Sequence, residues 1–380
     1  MPTHTSGLLL ACFDEHLAEL ERQRRRRRLA PRLGHDFASN DYLGLAGSSA
    51  LEGAITAALS RSVPIGAGGS RLLRGNHPEH QLLEEEAAQF FGSESSLFFS
   101  SGYAANSTLL STLPQRRDLI VHDALIHASS HEGIRLARAP ARSAIHNDAQ
   151  SFADILRDWR KAGGTGQPWL VVESLYSMEG DKAPLADLMS LADQYGGFLI
   201  VDEAHATGVF GHDGRGLAER FDGRANVVTV RTCGKALGCE GALICAPRAI
   251  TEFLINRGRG FIFSTAPSPL IAAAVRAALT IIRREPERRQ RLHELSAYAA
   301  ARLEPLGARD NGTQILPLVV GDPGPTMELA DRLQELGFDA RGIRPPTVPE
   351  GTSRLRISIT LNVDEAAIGG LANAIAEALE

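Results

Sequence analysis

The sequence predicts an α/β protein with a large, mostly parallel sheet and a smaller α+β domain after it. From about residue 50 to 270, short apolar runs alternate with helical stretches, a pattern typical of parallel sheets covered on both faces. A smaller set of strands and helices follows this region. The predicted parts are an N-terminal helix and arm over residues 1–45, the large domain over 46–270 and the small domain over 271–380.

In chain order, the first predicted element is a helix over residues 1–30 that ends in the arginine run Arg24 to Arg28. The predicted strands of the large domain are apolar runs that end in polar residues. They lie at Ser96–Ser100, Leu119–Val121, Trp169–Val172, Phe198–Val201, Val227–Val230 and Ala242–Ile244. Because ligands of such sheets bind beyond the carboxyl ends of the strands, the polar residues after these runs are the first candidates for a site.

The small domain is predicted to begin with a long, alanine-rich helix over 270–290 that ends in charged residues. A strand at Ile315–Val320, a helix over about 326–336, a strand at Leu355–Thr360 and a last helix from Asp364 follow it. No repeat and no low-complexity linker interrupts this order.

Composition excludes several classes of protein. The 380 residues include 40 basic and 45 acidic ones, and the net charge of −5 argues against a globally basic nucleic-acid binder. No run reaches the ~18–20 apolar residues that a membrane span needs. The four cysteines form no CxxC pair and no zinc spacing with the histidines, so we expect no disulfide framework, no metal site and a cytoplasmic location.

Lysine is rare in this chain. Only Lys161, Lys182 and Lys235 are present, so 37 of the 40 basic residues are arginine. Arginine has no amine that readily loses its proton, so lysine is retained where such an amine is required. Biased codon usage with three surviving lysines is the competing explanation, and only the context of each lysine separates the two.

The context of Lys235 favours a chemical role. Asp202 ends one apolar run and Lys235 follows the next, with Gly234 and Gly238 permitting close backbone approach and Thr232 offering a hydroxyl. This order fits pyridoxal 5′-phosphate (PLP), because the lysine amine bonds to the cofactor aldehyde and the aspartate keeps the ring nitrogen protonated, so that the ring acts as an electron sink. Taken singly, the aspartate is better explained as a helix cap and the lysine as a surface residue.

Two nucleotide-binding alternatives lack essential residues. Asp202-Glu-Ala-His205 has the form of an acidic helicase box, but that reading needs a GxxxxGK[ST] loop, and around Lys235 the required positions are Thr229 and Ala236. The stretch Gly66–Arg71 lacks the third glycine of a dinucleotide fingerprint. An NTPase and a dinucleotide-binding protein are therefore both disfavoured.

A phosphate site is predicted at Ser100–Asn106. This segment follows an apolar strand and opens a helix, where free N–H groups and the helix dipole favour an anion. The pair Gly102-Tyr103 allows backbone N–H groups to face the phosphate.

The order of these motifs carries a family resemblance. The chain is similar to the α-oxoamine synthases, which belong to the fold type I, aspartate-aminotransferase-like PLP enzymes. The matching segments run in family order from about residue 37 to the C-terminus, and they are Ser39–Leu45, Gly66–Ser70, His80–Glu86, Ser101–Asn106, Ser177–Asp181, Asp202–His205, Thr232–Lys235 and Phe263–Thr265.

The resemblance implies a set of residues that bind PLP. These are Gly102, Tyr103, His127, Ser177, Asp202, His205, Thr232 and Lys235. By the resemblance, the phosphate is bound by Gly102, Tyr103 and Thr232. The phenolic oxygen and the ring substituents are contacted by Ser177 and His205. His127 stacks over the ring and orients the substrate, and it joins Lys235 and Asp202 as a catalytic residue.

The resemblance also implies substrate contacts by Arg26, His127, Thr347 and Arg356. Arg356 holds the carboxylate of the amino acid in a bidentate grip. Arg26 is the best match for the arginine that meets the distal carboxylate of the acyl substrate, with Arg27 close behind. A solvated basic helix end is the alternative explanation for the arginine run.

The reaction that the resemblance implies is a PLP-dependent, decarboxylative condensation of an amino acid with an acyl thioester. The stretch Ile343–Arg356 is similar to that of members that use L-alanine and a pimeloyl thioester, on coenzyme A or on a carrier protein, in biotin biosynthesis. Two alternatives stay open. One is a glycine-using member of the 2-amino-3-ketobutyrate ligase or 5-aminolevulinate synthase type. The other is a non-catalytic partner subunit like those of sphingolipid-forming heterodimers, against which the retained Lys235 argues.

Family members often complete the phosphate site with a Ser-Thr pair from a partner subunit, here Ser264 and Thr265. The resemblance thus implies a homodimer with the active site at its interface, and no nucleic-acid or membrane partner. Three positions depart from the family pattern: Cys233 replaces an aromatic residue or leucine, Glu240 replaces a small residue and Ala206 replaces glycine.

Overall fold

The computed structural model describes residues 5–379, and its helices and strands are numbered in chain order. The strands are β1 His35–Asp36, β2 Ser95–Phe99, β3 Leu119–Asp123, β4 Ala141–Ala144, β5 Pro168–Glu173, β6 Phe198–Asp202, β7 Val227–Thr232, β8 Ala242–Ala246, β9 Ile315–Gly321, β10 Phe338–Asp339, β11 Arg341–Ile343 and β12 Ser353–Ser358. The helices are α1 Thr5–Arg22, α2 Ser49–Ser60, α3 Pro78–Phe91, α4 Gly102–Thr112, α5 Ala128–Leu136, α6 Ala149–Lys161, α7 Leu185–Tyr195, α8 Arg248–Arg257, α9 Arg259–Ile262, α10 Pro269–Arg284, α11 Pro286–Leu303, α12 Pro323–Glu335 and α13 Glu365–Leu379.

The chain divides into two compact units. Among the described residues, the larger unit holds Asn40–Ser177 and Asp181–Leu292, and the smaller unit holds 5–39, Met178–Gly180 and 293–379. The predicted fold class is confirmed, because the larger unit contains a mostly parallel sheet and the smaller one an α+β arrangement. The predicted domain boundaries after residues 45 and 270 stay a prediction. Residues 1–4 of the predicted N-terminal helix lie outside the described part of the chain.

Seven strands form the sheet of the larger unit, in the order β2-β8-β7-β6-β5-β3-β4. β8 is antiparallel to both of its neighbours, and the other pairings are parallel. All strands except β8 therefore run in one direction, and their carboxyl ends meet at one edge of the sheet. In open α/β sheets, ligands bind beyond that edge.

Burial on both faces explains why these strands are continuously apolar. Every residue of β5 and β7 is buried. Successive residues of β6 point to opposite faces, so Ile200 belongs to the same core cluster as Leu109 of α4, whereas Leu199 and Val201 belong to the cluster of Leu188 of α7. Each fully buried aliphatic side chain contributes roughly 1.5–3 kcal/mol, so both faces stabilise the sheet.

Two elements of the larger unit depart from the prediction. β4 carries no apolar run, because it is an edge strand in which Arg142 and Ser143 are exposed, and the sequence pattern gives no sign of it. The single helix predicted over 270–290 is wrong, since α10 ends at Arg284 and α11 begins at Pro286. Proline lacks the backbone N–H of a helix interior and is tolerated in the first turn, so it starts a new helix.

The smaller unit has a three-stranded antiparallel sheet in the order β11-β12-β9, and β1 pairs in parallel with β10. The helix predicted over residues 1–30 ends earlier, at Arg22, so the run Arg24 to Arg28 lies in a connecting segment. Like charges one helical turn apart destabilise a helix, which disfavours its extension through five arginines. Within residues 5–379, no helix is long and apolar enough to cross a membrane.

Candidate active site

One cavity lies at the carboxyl edge of the large sheet. Residues at the ends of β5, β6 and β7 and around the starts of α4 and α5 line it, namely Gly102, Tyr103, Asn106, His127, Ser129, Glu173, Asp202, Ala204, His205, Val230, Thr232 and Lys235. The lining includes seven of the eight predicted cofactor residues, and Ser177 is the one outside it. The sheet topology is what joins them, because the parallel strands end on the same side.

Asp202 is the last residue of β6 and is buried. Its Oδ1 accepts the N–H of Ala204 at 2.9 Å, and its Oδ2 accepts Nδ2 of Asn106 at 2.7 Å. An ionised carboxylate offers about four acceptor positions. Asp202 is thus held in one orientation and keeps capacity for a further donor in the cavity.

The N-terminus of α4 forms another part of the wall. Ser101 caps the helix, and its hydroxyl accepts the N–H of Ala104 at 3.1 Å. The N–H groups of Gly102 and Tyr103 come first in the helix, where no intrahelical acceptor exists. A Cβ placed on Gly102 would lie 3.6 Å from Oγ1 of Thr232, so the threonine hydroxyl is adjacent. These donors match the chemistry of a phosphate site.

Lys235 lies in the loop between β7 and β8. A backbone hydrogen bond of 2.9 Å from Cys239 to Cys233 closes this loop. Gly238 has a φ of 64°, and a Cβ placed on it would lie 2.5 Å from the backbone nitrogen of Ala46. Only glycine combines this φ with such a close approach, so Gly238 determines where the lysine loop sits.

Sequence reasoning alone assigns no role to Asn106 or Ser129, although Asn106 lies within the predicted phosphate segment. Nδ2 of Asn106 reaches both Oδ2 of Asp202 and Oγ of Ser129, at 2.7 and 3.1 Å. The Ser129 hydroxyl lies 2.7 Å from Nδ1 of His127. The available signal was an asparagine, a poor helix former, in the second turn of α4. The two residues connect the expected ring-nitrogen partner to the expected stacking histidine.

His205 lies just after β6, and its Nδ1 is 2.6 Å from the hydroxyl of Tyr42. That hydroxyl also lies 3.0 Å from Oδ1 of Asn40. Tyr42 is fully buried. The segment Ser39–Leu45, which the family resemblance included without a stated role, therefore contacts His205 through Tyr42.

Ser177 contacts the lining indirectly, because its N–H donates to Oε2 of Glu173 at 3.2 Å. The loop that follows β5 is held by His146, whose Nδ1 and Nε2 lie 2.9 and 3.0 Å from carboxylate oxygens of Asp123 and Asp181. Desolvation alone would lower the pKa of His146, but the hydrogen bonds to both carboxylates outweigh it and raise that pKa to about 10. The ring is therefore a cation at neutral pH.

The other predicted substrate residues, Arg26, Thr347 and Arg356, lie in the smaller unit. Arg356 is buried on β12. The hydroxyl of Thr347 accepts from Arg27 at 3.1 Å, whereas the guanidinium of Arg26 lies 3.6 Å from Glu21. The structure thus joins Arg27, and not Arg26, to another predicted substrate residue.

The three departures from the family pattern all lie outside the cavity lining. Cys233 and Ala206 are fully buried, and burial holds the pKa of the Cys233 thiol well above its usual range. Glu240 is exposed. These substitutions leave every lining residue in place.

Comparisons with known proteins agree with this arrangement. The model of the family "Aminotransferase class I and II" matches residues 34–375. An 8-amino-7-oxononanoate synthase from Geobacter sulfurreducens is 44% identical over 333 residues, which cover 86% of this chain and 84% of that protein. A second one, from Chromobacterium violaceum, is 42% identical over 327 residues, which cover 85% of this chain and 84% of that protein.

Solved structures give the same grouping. A serine palmitoyltransferase from S. paucimobilis with bound PLP-myriocin aldimine has a TM-score of 0.88 and 25% identity, and the match covers 97% of this chain and 98% of that one. An 8-amino-7-oxononanoate synthase from Francisella tularensis has a TM-score of 0.77 and 28% identity, and the match covers 91% of this chain and 98% of that one. The chain therefore belongs to the aminotransferase class I and II family and, within its fold type I enzymes, to the α-oxoamine synthases.

Proposed function

We propose that the chain condenses L-alanine with a pimeloyl thioester, with PLP as cofactor, to give 8-amino-7-oxononanoate, CO₂ and the free thiol, a step of biotin biosynthesis. The observation that carries this proposal is the single cavity that holds Lys235 and Asp202 at the carboxyl edge of the sheet. The two synthases that are 44% and 42% identical to the chain supply the choice of substrates.

The donors and acceptors of the cavity fit PLP. The N–H groups of Gly102 and Tyr103 and the hydroxyl of Thr232 match its phosphate, and the remaining acceptor capacity of Asp202 matches a protonated ring nitrogen. The amine of Lys235 matches its aldehyde. When bound, PLP supplies a ring that withdraws electron density from the α-carbon of the substrate.

The residues of the chain supply the base that removes the α-proton and the groups that bind the two substrate carboxylates. The Lys235 amine removes the α-proton of L-alanine. Arg356 holds the α-carboxylate in a bidentate grip, which fixes the direction of the Cα–H bond. The α-carbon then bonds to the carbonyl carbon of the thioester and the thiolate leaves. The former alanine carboxylate is lost as CO₂, and the protonated amine of Lys235 returns a proton to the α-carbon. Arg26 or its neighbour Arg27 meets the distal carboxylate of the pimeloyl group, and Thr347 contacts the substrate.

We also propose that the chain works as a homodimer. Ile65, Leu73 and Phe263 are 75%, 83% and 71% exposed, and they lie in two segments that are joined to each other. A backbone hydrogen bond of 2.9 Å from Ala266 to Gly69 joins the two segments that carry them. An apolar surface of this kind favours a protein interface, and the predicted phosphate pair Ser264-Thr265 comes directly after Phe263.

Mass spectrometry of the product tests the proposed reaction. The purified chain with PLP is incubated with L-alanine and either pimeloyl-CoA or a pimeloyl carrier protein, and we expect 8-amino-7-oxononanoate. Glycine and serine, each offered with acetyl-, succinyl- and palmitoyl-CoA, form the comparison panel, since a structural relative is a serine palmitoyltransferase. Product from glycine or serine alone would overturn the choice of substrates. A colourless protein that takes up no PLP would overturn the enzymatic proposal.

Replacement of Lys235 tests the cofactor attachment. Lys235→Ala is expected to abolish the visible absorbance of the bound cofactor and its reduction by borohydride, because no other amine lines the cavity among the described residues. Lys161→Ala and Lys182→Ala are the matched controls and are expected to keep both signals. If the signals persisted in Lys235→Ala and disappeared in a control, the attachment site would be the control lysine.

A further inference from the structure

His127 is the N-cap of α5, and this fixes the role of one of its ring nitrogens. The backbone N–H of Ser129 lies 3.2 Å from Nδ1 of His127. A backbone N–H can only donate, so Nδ1 accepts and carries no proton. In a neutral imidazole the proton then resides on Nε2.

A second donor reinforces this state. Oγ of Ser129 lies 2.7 Å from the same Nδ1. That hydroxyl also lies 3.1 Å from Nδ2 of Asn106, whose N–H donates to it, so its own proton is available to the imidazole. Nδ1 of His127 thus faces two donors, and protonation of Nδ1 would remove the acceptor that both of them need.

The hydrogen bonds of His127, Ser129 and Asn106 form a chain that ends at Asp202. The carboxylate at this end determines which group donates in each hydrogen bond. An ionised carboxylate only accepts, so the amide of Asn106 must present its nitrogen to Oδ2 of Asp202, at 2.7 Å. Its second N–H then points to Ser129. Asn106, Ser129 and Asp202 are 3%, 0% and 7% exposed, so water does not compete for these bonds.

We propose that Asn106 and Ser129 are positioning residues that hold His127 as a neutral imidazole with its proton on Nε2 and couple that tautomer to the carboxylate of Asp202. The inference rests on the proposed function, in which His127 stacks over the cofactor. An imidazolium at this place would compete with the ring nitrogen of the cofactor for the charge of Asp202. A neutral ring leaves that charge to the cofactor.

The charged surroundings agree with a neutral ring. Desolvation inside the cavity lowers the pKa of His127, Asp202 at the end of β6 opposes this effect, and Lys235 after β7 adds to it. His131, one turn along α5, is a further titratable neighbour. Glu173 and His205 line the same cavity. The hydrogen bonds to Nδ1 therefore act in the same direction as desolvation.

The test is ¹⁵N NMR of the PLP-loaded protein labelled in its histidines, with the His127 signals assigned by their loss in His127→Asn. At neutral pH we expect an unprotonated Nδ1 and a protonated Nε2. In Ser129→Ala the loss of the hydroxyl donor is expected to raise the pKa of His127 toward its ordinary value. We expect kcat/KM to fall roughly fivefold at pH 6, about what one hydrogen bond contributes, and to approach the unmodified value at pH 8.5.

Ser130→Ala is the matched control, because Ser130 is the next residue of α5 and is buried to a similar extent, 3% against 0% exposed. It is expected to leave the spectrum and the pH profile unchanged. A proton on Nδ1 in the unmodified protein, or a Ser129→Ala profile that superimposes on the unmodified one, would overturn the inference. The NMR measurement needs no turnover, so it stands even if Ser129→Ala fails to fold. The expected tautomer in a protein that makes no 8-amino-7-oxononanoate would contradict the proposed function alone.

Discussion

At the scale of single residues, the end of β6 separates two neighbouring carboxylates by environment. Asp202 lines the cavity, whereas Glu203 is fully buried and accepts the N–H groups of Leu217 and Ala218 at 2.9 and 2.7 Å. Burial raises the pKa of Glu203 to about 7, against the opposing charge of Arg231. One carboxylate is therefore available to a ligand, whereas the other binds backbone N–H groups of the segment at residues 217–218.

The role of Asp202 predicts the effect of Asp202→Asn. The amide keeps most of the shape of the carboxylate but removes the negative charge, so we expect kcat to fall by at least roughly a hundredfold. Asp148→Asn is the matched control, since Asp148 caps α6 and asparagine caps equally well. Steady-state kinetics with L-alanine and pimeloyl-CoA measures both variants. Near-normal turnover in Asp202→Asn would contradict the assigned role.

At the scale of elements, the lysine loop depends on a backbone contact that a side chain would break. Gly238→Ala adds a Cβ that would lie 2.5 Å from the backbone nitrogen of Ala46, at a φ of 64°. We expect the Lys235 loop to shift, with weakened PLP binding and a loss of roughly 2–3 kcal/mol in the free energy of unfolding.

Gly196→Ala separates the clash from the backbone strain. Gly196 ends α7 at a φ of 63°, and a Cβ placed on it meets no atom within 4 Å. We expect this variant to lose only about 1 kcal/mol and to bind PLP normally. Thermal unfolding and a PLP titration compare the two. Equal PLP binding by both variants would show that the contact at residue 46 does not position the loop.

The ionised His146 predicts a pH-dependent stability of the loop after β5. The ordinary pKa of 6.5 rises to about 10 in the folded protein, so the stabilisation is complete below pH 6.5 and is lost as the pH approaches 10. His146→Gln is therefore expected to lower Tm by on the order of 5 °C near pH 6, and the difference should shrink toward pH 10.

His212, which is exposed, and its neighbour Asp213 supply the control for that measurement. His212 is 81% exposed, with its Nδ1 3.3 Å from the Asp213 carboxylate, and such surface pairs contribute little. His212→Gln should leave Tm nearly unchanged across the same pH range. A deficit of His146→Gln that stayed constant from pH 6 to pH 10 would argue against a charged imidazole.

At the scale of the whole molecule, the exposed apolar surface predicts self-association. Leu73→Glu places a charge where an 83% exposed leucine would be buried in a dimer, so we expect dissociation and loss of activity together. Sedimentation velocity measures the mass, and Leu336→Glu, at a 50% exposed leucine of the smaller unit, is the control. A monomeric unmodified protein with full activity would refute the homodimer.

The fold class, the strand runs and the candidates that follow the strands were predictable from local sequence, whereas His127 and His205 were predicted only through the family resemblance. Strands buried on both faces must be apolar along their length, and the polar residues that follow them, such as Asp202 and Thr232, must then lie at one edge of a parallel sheet. The rarity of lysine in the chain also identified Lys235 as a candidate site residue. The interruption at Pro286 and the end of α1 at Arg22 are also encoded locally, by the proline and by the run of like charges, although the predicted helices continued through both.

The sequence by itself thus determined the chemistry that the carboxyl edge of the sheet presents. Only the tertiary structure decided which polar groups pair with one another. Asn106 bonds to Asp202 across 96 residues of chain, and Tyr42 to His205 across 163. Such partners meet because the order of strands and the packing of helices bring their elements together, and this order follows from the burial of whole apolar faces, which no short window of sequence records.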